Sequence, residues 1–269
     1  MRKGIEIPDH EIVSLNNIAS GLFGLRVMLV NVYAITADAG WVLIDAGLPM
    51  SAHRIRRWAE SQFIRPKPSL ILLTHGHFDH VGALPDLAQE WDVPVYAHPL
   101  ELAYLTGKAK YPPPDPGAGG GLMSLLAPFY PRGPIELGNQ VRPLPADGTL
   151  PGLYTWRWIH TPGHTHGHVS FYRELDRCLL SGDAFSTTKA ESVLSIASQK
   201  PELHGPPAYY TSDWDRAKES VKLLARLKPQ TVAPGHGSPM TGPDVASALD
   251  RLAADFDLIA RPHKEKHAA

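Results

Sequence analysis

The sequence predicts an α/β fold whose strands feed a site at a sheet edge, and three observations carry that prediction. Short apolar runs of strand character alternate with stretches of helical periodicity along most of the chain. Four of the strand runs end directly in a histidine or an aspartate. Histidine itself is abundant, 14 in 269 residues, and falls in tight clusters that call for a chemical explanation.

Within residues 25–46, the runs VMLVNVYAI and WVLID flank the turn-like Ala37-Asp38-Ala39-Gly40 and predict a β-hairpin. Ser51 caps a helix through about Gln62. Leu70-Ile71-Leu72-Leu73 is apolar at every position, which predicts a strand covered on both faces with a histidine-rich segment at its C-terminal end. A helix from about Ala83 to Glu90, a strand over 93–97 and a helix after Pro99 follow. Residues 107–134 change character: three proline- or glycine-rich clusters surround the short apolar piece Leu122 to Leu126. This predicts a long Pro/Gly-rich loop, and such loops inside a domain are more often lids or binding loops than linkers. Strand signals resume at Thr155 to His160, His168 to Tyr172 and Cys178 to Ser181. Ser212-Asp213-Trp214-Asp215 matches a capping box, and the helix it opens carries Val221, Leu223, Leu224 and Leu227 before Pro229 stops it. A strand over Thr231 to Ala233 runs into Pro234-Gly235-His236-Gly237, and a C-terminal helix is expected at about 243–260. The polar tail from Arg261 is expected to fray.

The bulk composition excludes several function classes. With 43% hydrophobic residues the chain can bury a large core, and one domain over 1–269 is the expectation. A formal net charge of −1 gives no basic field for a nucleic-acid backbone or an anionic membrane, so neither is expected as a partner. Charges and Pro8 break the N-terminal segment, and no run reaches the ~20 apolar residues of a spanning helix. A cytoplasmic protein is therefore expected, with a homodimer as the one candidate assembly. The lone Cys178 sits in an apolar run and reads as a buried hydrophobe, not a reactive thiol.

The chemistry concentrates in four segments. Thr74-His75-Gly76-His77-Phe78-Asp79-His80 places three imidazoles and a carboxylate within six residues, too many to serve as packing. Imidazole and carboxylate together suit zinc, iron or manganese, and Gly76 lets the backbone turn so that neighbouring rings converge. In the second segment, His160 to His168, His164 is the ligand candidate on its Pro-Gly turn. His168, at the start of a strand, is expected to hydrogen-bond in support of a ligand, with His160 and His166 left as solvated or pocket-rim residues. Asp183, ending the third run, and His236, in the fourth, are weak candidates singly.

The ordered set His-x-His-x-Asp-His, a distant Gly-His-Thr-x-Gly-His, a strand-terminal Gly-Asp and a late Gly-His resembles the metallo-β-lactamase superfamily over roughly residues 25–240. The resemblance implies a four-layer αββα sandwich with the site at one edge. It further implies that His75, His77 and His164 hold one metal, that Asp79, His80 and His236 hold another, and that Asp183 bridges them. Asp45 matches a segment that supports the site without binding metal. Two divalent ions, zinc being expected with iron or manganese compatible, would lower the pKa of a shared water from ~15.7 toward 7. Asp79 is then the catalytic residue that orients the hydroxide or shuttles its proton.

Departures from the family pattern narrow the substrate. The best-known lactamases have a cysteine where this chain has Asp183. Hydroxyacylglutathione hydrolases add a basic helical domain, and acyl-homoserine lactonases place a tyrosine where Ser186 stands. A small-molecule ester, lactone or thioester with an apolar group is the expected substrate. Phe78, Phe129, Tyr130, Phe185, His204, Tyr209 and Tyr210 are the candidates to line its pocket. The alternative activity is that of a mononuclear iron persulfide dioxygenase-like oxidoreductase, which needs only part of this ligand set.

Overall fold

Side chains of a strand alternate between its two faces, so an unbroken apolar run needs cover on both. Residues 70–73 find it. Leu70 and Leu72 pack with Ile44, Phe171 and Leu180, whereas Ile71 and Leu73 pack the other way with Ile55, Leu84 and Leu87.

The computed structural model describes residues 4–7, 11–12, 14–198 and 202–262. Its strands are β1 (Ile5–Glu6), β2 (Glu11–Ile12), β3 (Leu22–Val27), β4 (Val30–Ala37), β5 (Gly40–Ile44), β6 (Leu70–Leu72) and β7 (Val95–Ala97). They continue with β8 (Val141–Pro143), β9 (Trp156–His160), β10 (Val169–Arg173), β11 (Cys178–Gly182), β12 (Glu202–Leu203), β13 (Thr231–Pro234) and β14 (Met240–Thr241). One sheet has the order β3-β4-β5-β6-β7-β8 and the other β2-β14-β13-β11-β10-β9, while β1 pairs with β12. In the first, β3 to β5 are antiparallel and β5 to β8 parallel. In the second, β9 is antiparallel to β10 and β10 to β11, so β9, β11 and its parallel neighbour β13 all run the same way.

The inner faces of the sheets meet through Ile35, Val42 and Ile44 on one side and Val169, Phe171 and Leu180 on the other. Helices Ala52–Gln62 and Leu84–Trp91 cover the outer face of the first sheet. Helices Trp214–Arg226 and Asp244–Ala254 cover the second. The result is the expected αββα sandwich. The two sheets are also hydrogen-bonded at one edge, Val169 N to Thr74 O at 2.9 Å and Asn31 N to Gly235 O at 2.8 Å.

Four expectations change in detail. The run VMLVNVYAI is not one strand: β3 turns into β4 at Met28-Leu29, with Met28 in the left-handed region at φ 57°. The helix after Pro99 opens as a 3₁₀ turn, Pro99–Glu101, before Leu102–Leu105. Inside 107–134 lie a short helix, Leu122–Leu126, and a 3₁₀ turn, Ala127–Phe129. The C-terminal helix breaks at Asp255 into Asp244–Ala254 and Phe256–Ile259, yet Val245, Leu249, Leu252 and Phe256 still enter one core. Of the polar tail, residues 263–269 lie outside the described residues, and so does the fraying expected there. Among the described residues no helix is long and apolar enough to cross a membrane.

Candidate metal centre

The strands deliver the site. Asp45 follows β5 at φ 60°, and its carboxylate accepts from both Thr74 N and Thr74 Oγ1 at 2.8 Å. The segment after β6 is thereby clamped before it reaches His75. Four residues, Phe78–Val81, then form one helical turn on which Asp79 and His80 face the same region as His75. Gly76 is needed for a different reason from the turn expected of it: its φ is not positive, but a Cβ there would lie 2.7 Å from Tyr111 Oη. From the second sheet, the ends of β9, β11 and β13 bring in His164, Asp183 and His236.

All seven side chains predicted from the sequence converge. The nitrogens His75 Nε2, His77 Nδ1 and His164 Nε2 meet at separations of 3.1 and 2.9 Å. Asp183 Oδ2 lies 3.4 Å from His80 Nε2, 3.4 Å from His164 Nε2 and 3.3 Å from His236 Nε2, at the centre of the set. Asp79 Oδ2 is 3.3 Å from His236 Nε2. Three overlapping groups result: His75, His77 and His164; His75, His80 and Asp183; and Asp79, His80 and His236.

The outer hydrogen bonds fix which ring nitrogen faces inward. Thr74 Oγ1 donates to Asp45, so it accepts from His75 Nδ1 at 3.0 Å. Thr211 Oγ1 donates to Pro207 O, so it accepts from His164 Nδ1 at 3.1 Å. His80 Nδ1 donates to Asp45 Oδ2 and His236 Nδ1 to Leu29 O, each at 2.8 Å. Four imidazoles thus carry a proton on Nδ1 and turn Nε2 to the centre. His80 Nε2 and His236 Nε2 are buried there without a hydrogen-bond partner, an arrangement buried polar atoms normally avoid. A cation satisfies what the protein leaves open, so these residues fit a metal. His168 behaves as expected: its Nε2 accepts from Asp183 N at 2.8 Å, which leaves no lone pair for a ligand role.

Burial and charge divide the centre. Burial, joined by neighbouring imidazoles, holds His75 well below the usual histidine range and His164 down at about 3. Burial also outweighs nearby carboxylates at His77, which falls to about 4. At His236 the carboxylates of Asp183 and Asp79 overcome burial and raise it to about 10. His80, among Asp183, Asp45 and Asp79, is likewise driven up against its burial. Asp79 is buried too, but His80 and His236 hold it down at about 2.

A family model described as the metallo-beta-lactamase superfamily matches residues 25–236. The chain belongs to that superfamily. It is 46% identical over 239 residues to the probable metallo-hydrolase YflN of Bacillus subtilis (strain 168), covering 87% of this chain and 90% of that one. The crystal structure of TTHA1623 in a di-iron-bound form is 30% identical, with a TM-score of 0.57 and coverage of 85% and 96%. The B3 metallo-beta-lactamase BLEG-1 is 26% identical, with a TM-score of 0.58 and coverage of 82% and 93%.

On this superfamily fold, residues of the 107–134 segment help line two cavities that border the candidate metal centre. The larger, about 90 Å³, borders His77 and His164 and is walled by Tyr104, Tyr111, Tyr210, Thr211 and Ser212. The smaller, about 30 Å³, borders Asp79 and His236 and is walled by Leu29, Leu48, Met123, Tyr130 and Ala190. Tyr209 touches both. Of the expected pocket residues, Phe78, Tyr130, Tyr209 and Tyr210 are therefore in place, and His166 stands on the rim. Three are not. Phe129 is 84% exposed, Phe185 is wholly buried in the core beneath the outer helices, and His204 lies against Glu202. Cys178 is buried, its thiol pushed up to about 12 by desolvation. Tyr104, Tyr111 and Met123 were not foreseen. Tyr111, directly before Pro112-Pro113-Pro114, was the available signal.

Proposed function

We propose that this chain is a binuclear metal-dependent hydrolase that cleaves a small, uncharged carbonyl ester, lactone or thioester. The observation that carries the proposal is the set of four histidines that donate outward from Nδ1 and turn Nε2 inward, three of them, His80, His164 and His236, to within 3.4 Å of Asp183 Oδ2. In this reading His75, His77 and His164 would hold one ion and Asp79, His80 and His236 the other, with Asp183 placed to reach both. Bound divalent ions supply a water of lowered pKa and an electrophile for the carbonyl oxygen, and zinc suits the imidazole-rich set.

The chain's own groups do the rest. Asp79, with 14% of its side chain exposed and its carboxyl at about 2, is ionised and faces the smaller cavity, where it orients water and carries a proton to the leaving group. Asp45 and Thr74 keep His75 and His80 in register. The apolar wall of Leu29, Leu48 and Met123 excludes water and takes an aliphatic or aromatic group. Among the described residues neither cavity is lined by a lysine or arginine, so a strongly anionic substrate finds no side-chain counter-charge beyond the metal ions. The description of the relative YflN as a probable metallo-hydrolase supports the reaction class.

Metal analysis with a substrate panel tests the proposal. The expected result is two metal ions per chain and turnover of neutral esters, lactones or thioesters above phosphodiesters by the zinc- or manganese-loaded protein. One iron per chain with oxygen consumption on persulfides would replace it with the oxygenase reading.

A further inference from the structure

A carboxylate that no part of the proposed mechanism uses lies behind the centre. Glu101, in the 3₁₀ turn after β7, is completely buried, with no lysine, arginine or histidine among its hydrogen-bond partners. Four donors hold it instead. Oε2 accepts from Gly76 N at 3.0 Å and from Tyr111 Oη. Oε1 accepts from Thr165 Oγ1 at 2.8 Å and Gly167 N at 2.9 Å. Gly76 separates His75 from His77, and Thr165 follows His164. One side chain thus joins the two loops that carry His75, His77 and His164.

The fit is tight on every side. A Cβ at Gly167 would lie 2.6 Å from Glu101 Oε1, 2.7 Å from its Cγ and 3.0 Å from its backbone nitrogen, so the glycine is demanded by the close approach of Glu101. Tyr111 stacks on Tyr104 at 3.9 Å between ring centroids, packs against His77 at 4.5 Å, and lines the larger cavity. Burial raises the Glu101 carboxyl above its ordinary range while the four donors oppose that shift. A group buried at such a desolvation cost is retained where its hydrogen bonds specify a geometry.

We propose that Glu101 is a positioning residue: by bonding Gly76, Thr165, Gly167 and Tyr111 together it sets the separation of His75, His77 and His164. The proposal rests on the binuclear reading above. Glutamine at this position keeps the shape but turns an amide NH₂ toward one of the two donor pairs. Each pair contains a backbone N–H, which cannot reverse its role. Losing a partner that orients metal ligands costs roughly 10–100-fold in affinity.

The test measures zinc stoichiometry by mass spectrometry, zinc dissociation constants by chelator competition, and the melting temperature of the metal-free protein. Wild type is expected to bind two zinc ions. Glu101→Gln is expected to weaken one of them roughly 10–100-fold while the other and the metal-free melting temperature stay put. Thr165→Val removes a single donor and leaves the carboxylate, and it decides the case if Glu101→Gln does not fold. A weakening of roughly 2- to 10-fold at one ion is expected there. Unchanged constants in the variants, or loss of both ions together with a lower metal-free melting temperature, would overturn the positioning role while leaving the binuclear reading intact. Fewer than two ions on wild type would overturn both.

Discussion

His75, His77 and His164 meet as three imidazoles whose burial keeps them neutral, whereas His80 and His236 sit among Asp45, Asp79 and Asp183 and are driven to hold a proton. The first half is organised by hydrogen bonds from behind, through Thr74, Thr211 and Glu101. The second half is organised by charge. Two carboxylates attract a divalent cation more strongly than neutral rings do, but the protons parked on His80 and His236 must first leave. On the binuclear reading proposed above, the halves therefore differ in what limits metal binding: geometry in one, protonation in the other.

The harshest way to break this comparison is to remove the atom the halves share. Asp183 Oδ2 stands within 3.4 Å of nitrogens from both. Asp183→Ala is expected to lower occupancy of both positions, by more than the roughly 10–100-fold that an outer partner costs, and to abolish measurable turnover. Metal content after dialysis, read beside kcat, checks it. Retention of two ions and full activity would deny the bridge.

Asp79→Asn separates the halves instead. Its carboxylate touches only the second, at His236, so kcat should fall by roughly 10²- to 10⁴-fold. The ion held by His75, His77 and His164 should keep its affinity, which chelator competition resolves from the other.

A third measurement uses pH. A cation competes with protons, so affinity falls once pH drops below the pKa of a ligand in the metal-free protein. His236 at about 10 is protonated throughout the neutral range, and His80 is raised with it. Affinity at the second half should therefore rise by about tenfold per pH unit for each proton displaced between pH 6.5 and 8.5. At the first half His77 near 4 and His164 near 3 are already neutral, so its affinity should stay flat there and fall only toward pH 4. Calorimetric titration in buffers of different ionisation enthalpy counts the protons. Equal release from both steps would erase the distinction.

How much of this was legible in the sequence follows the same division between local and distant causes. The His75–His80 segment announces itself because its ligands are packed into six residues, and Asp183 and His236 become readable through their place at strand ends. Glu101 has no such signature: a lone glutamate after a His-Pro pair acquires its role only when β9 and β6 bring their loops to it. Met28 was missed because its turn lacks the glycine, asparagine or proline that marks most hairpins. Phe185 was misplaced because nearness in sequence to Asp183 does not decide direction: Asp183 faces the centre, while Phe185 packs with Val221 and Leu224. Periodicity, in contrast, carried the fold well. The stripe Val245, Leu249, Leu252 and Phe256 survives even the break at Asp255.

The mildest perturbation acts on the cover rather than on the metals. Residues 107–134 reach both halves, Tyr111 at the larger cavity beside His77 and Met123 at the smaller one beside Asp79. The segment is tied to the body of the molecule by Asp115 N to Tyr209 O at 2.9 Å and braced internally by Ser124 Oγ to Ala118 O at 2.8 Å, an ordering that a passive linker does not need. Met123→Ala enlarges the smaller cavity without touching a proposed ligand. It should shift kcat/KM in favour of bulkier apolar groups by roughly 10-fold, the lower end of what a change in a hydrophobic pocket produces. Metal content should remain at the wild-type value. If a graded series of acyl groups gave the same preference before and after the substitution, the smaller cavity would not be where the apolar group rests, and the asymmetry between the halves would be one of metal chemistry alone.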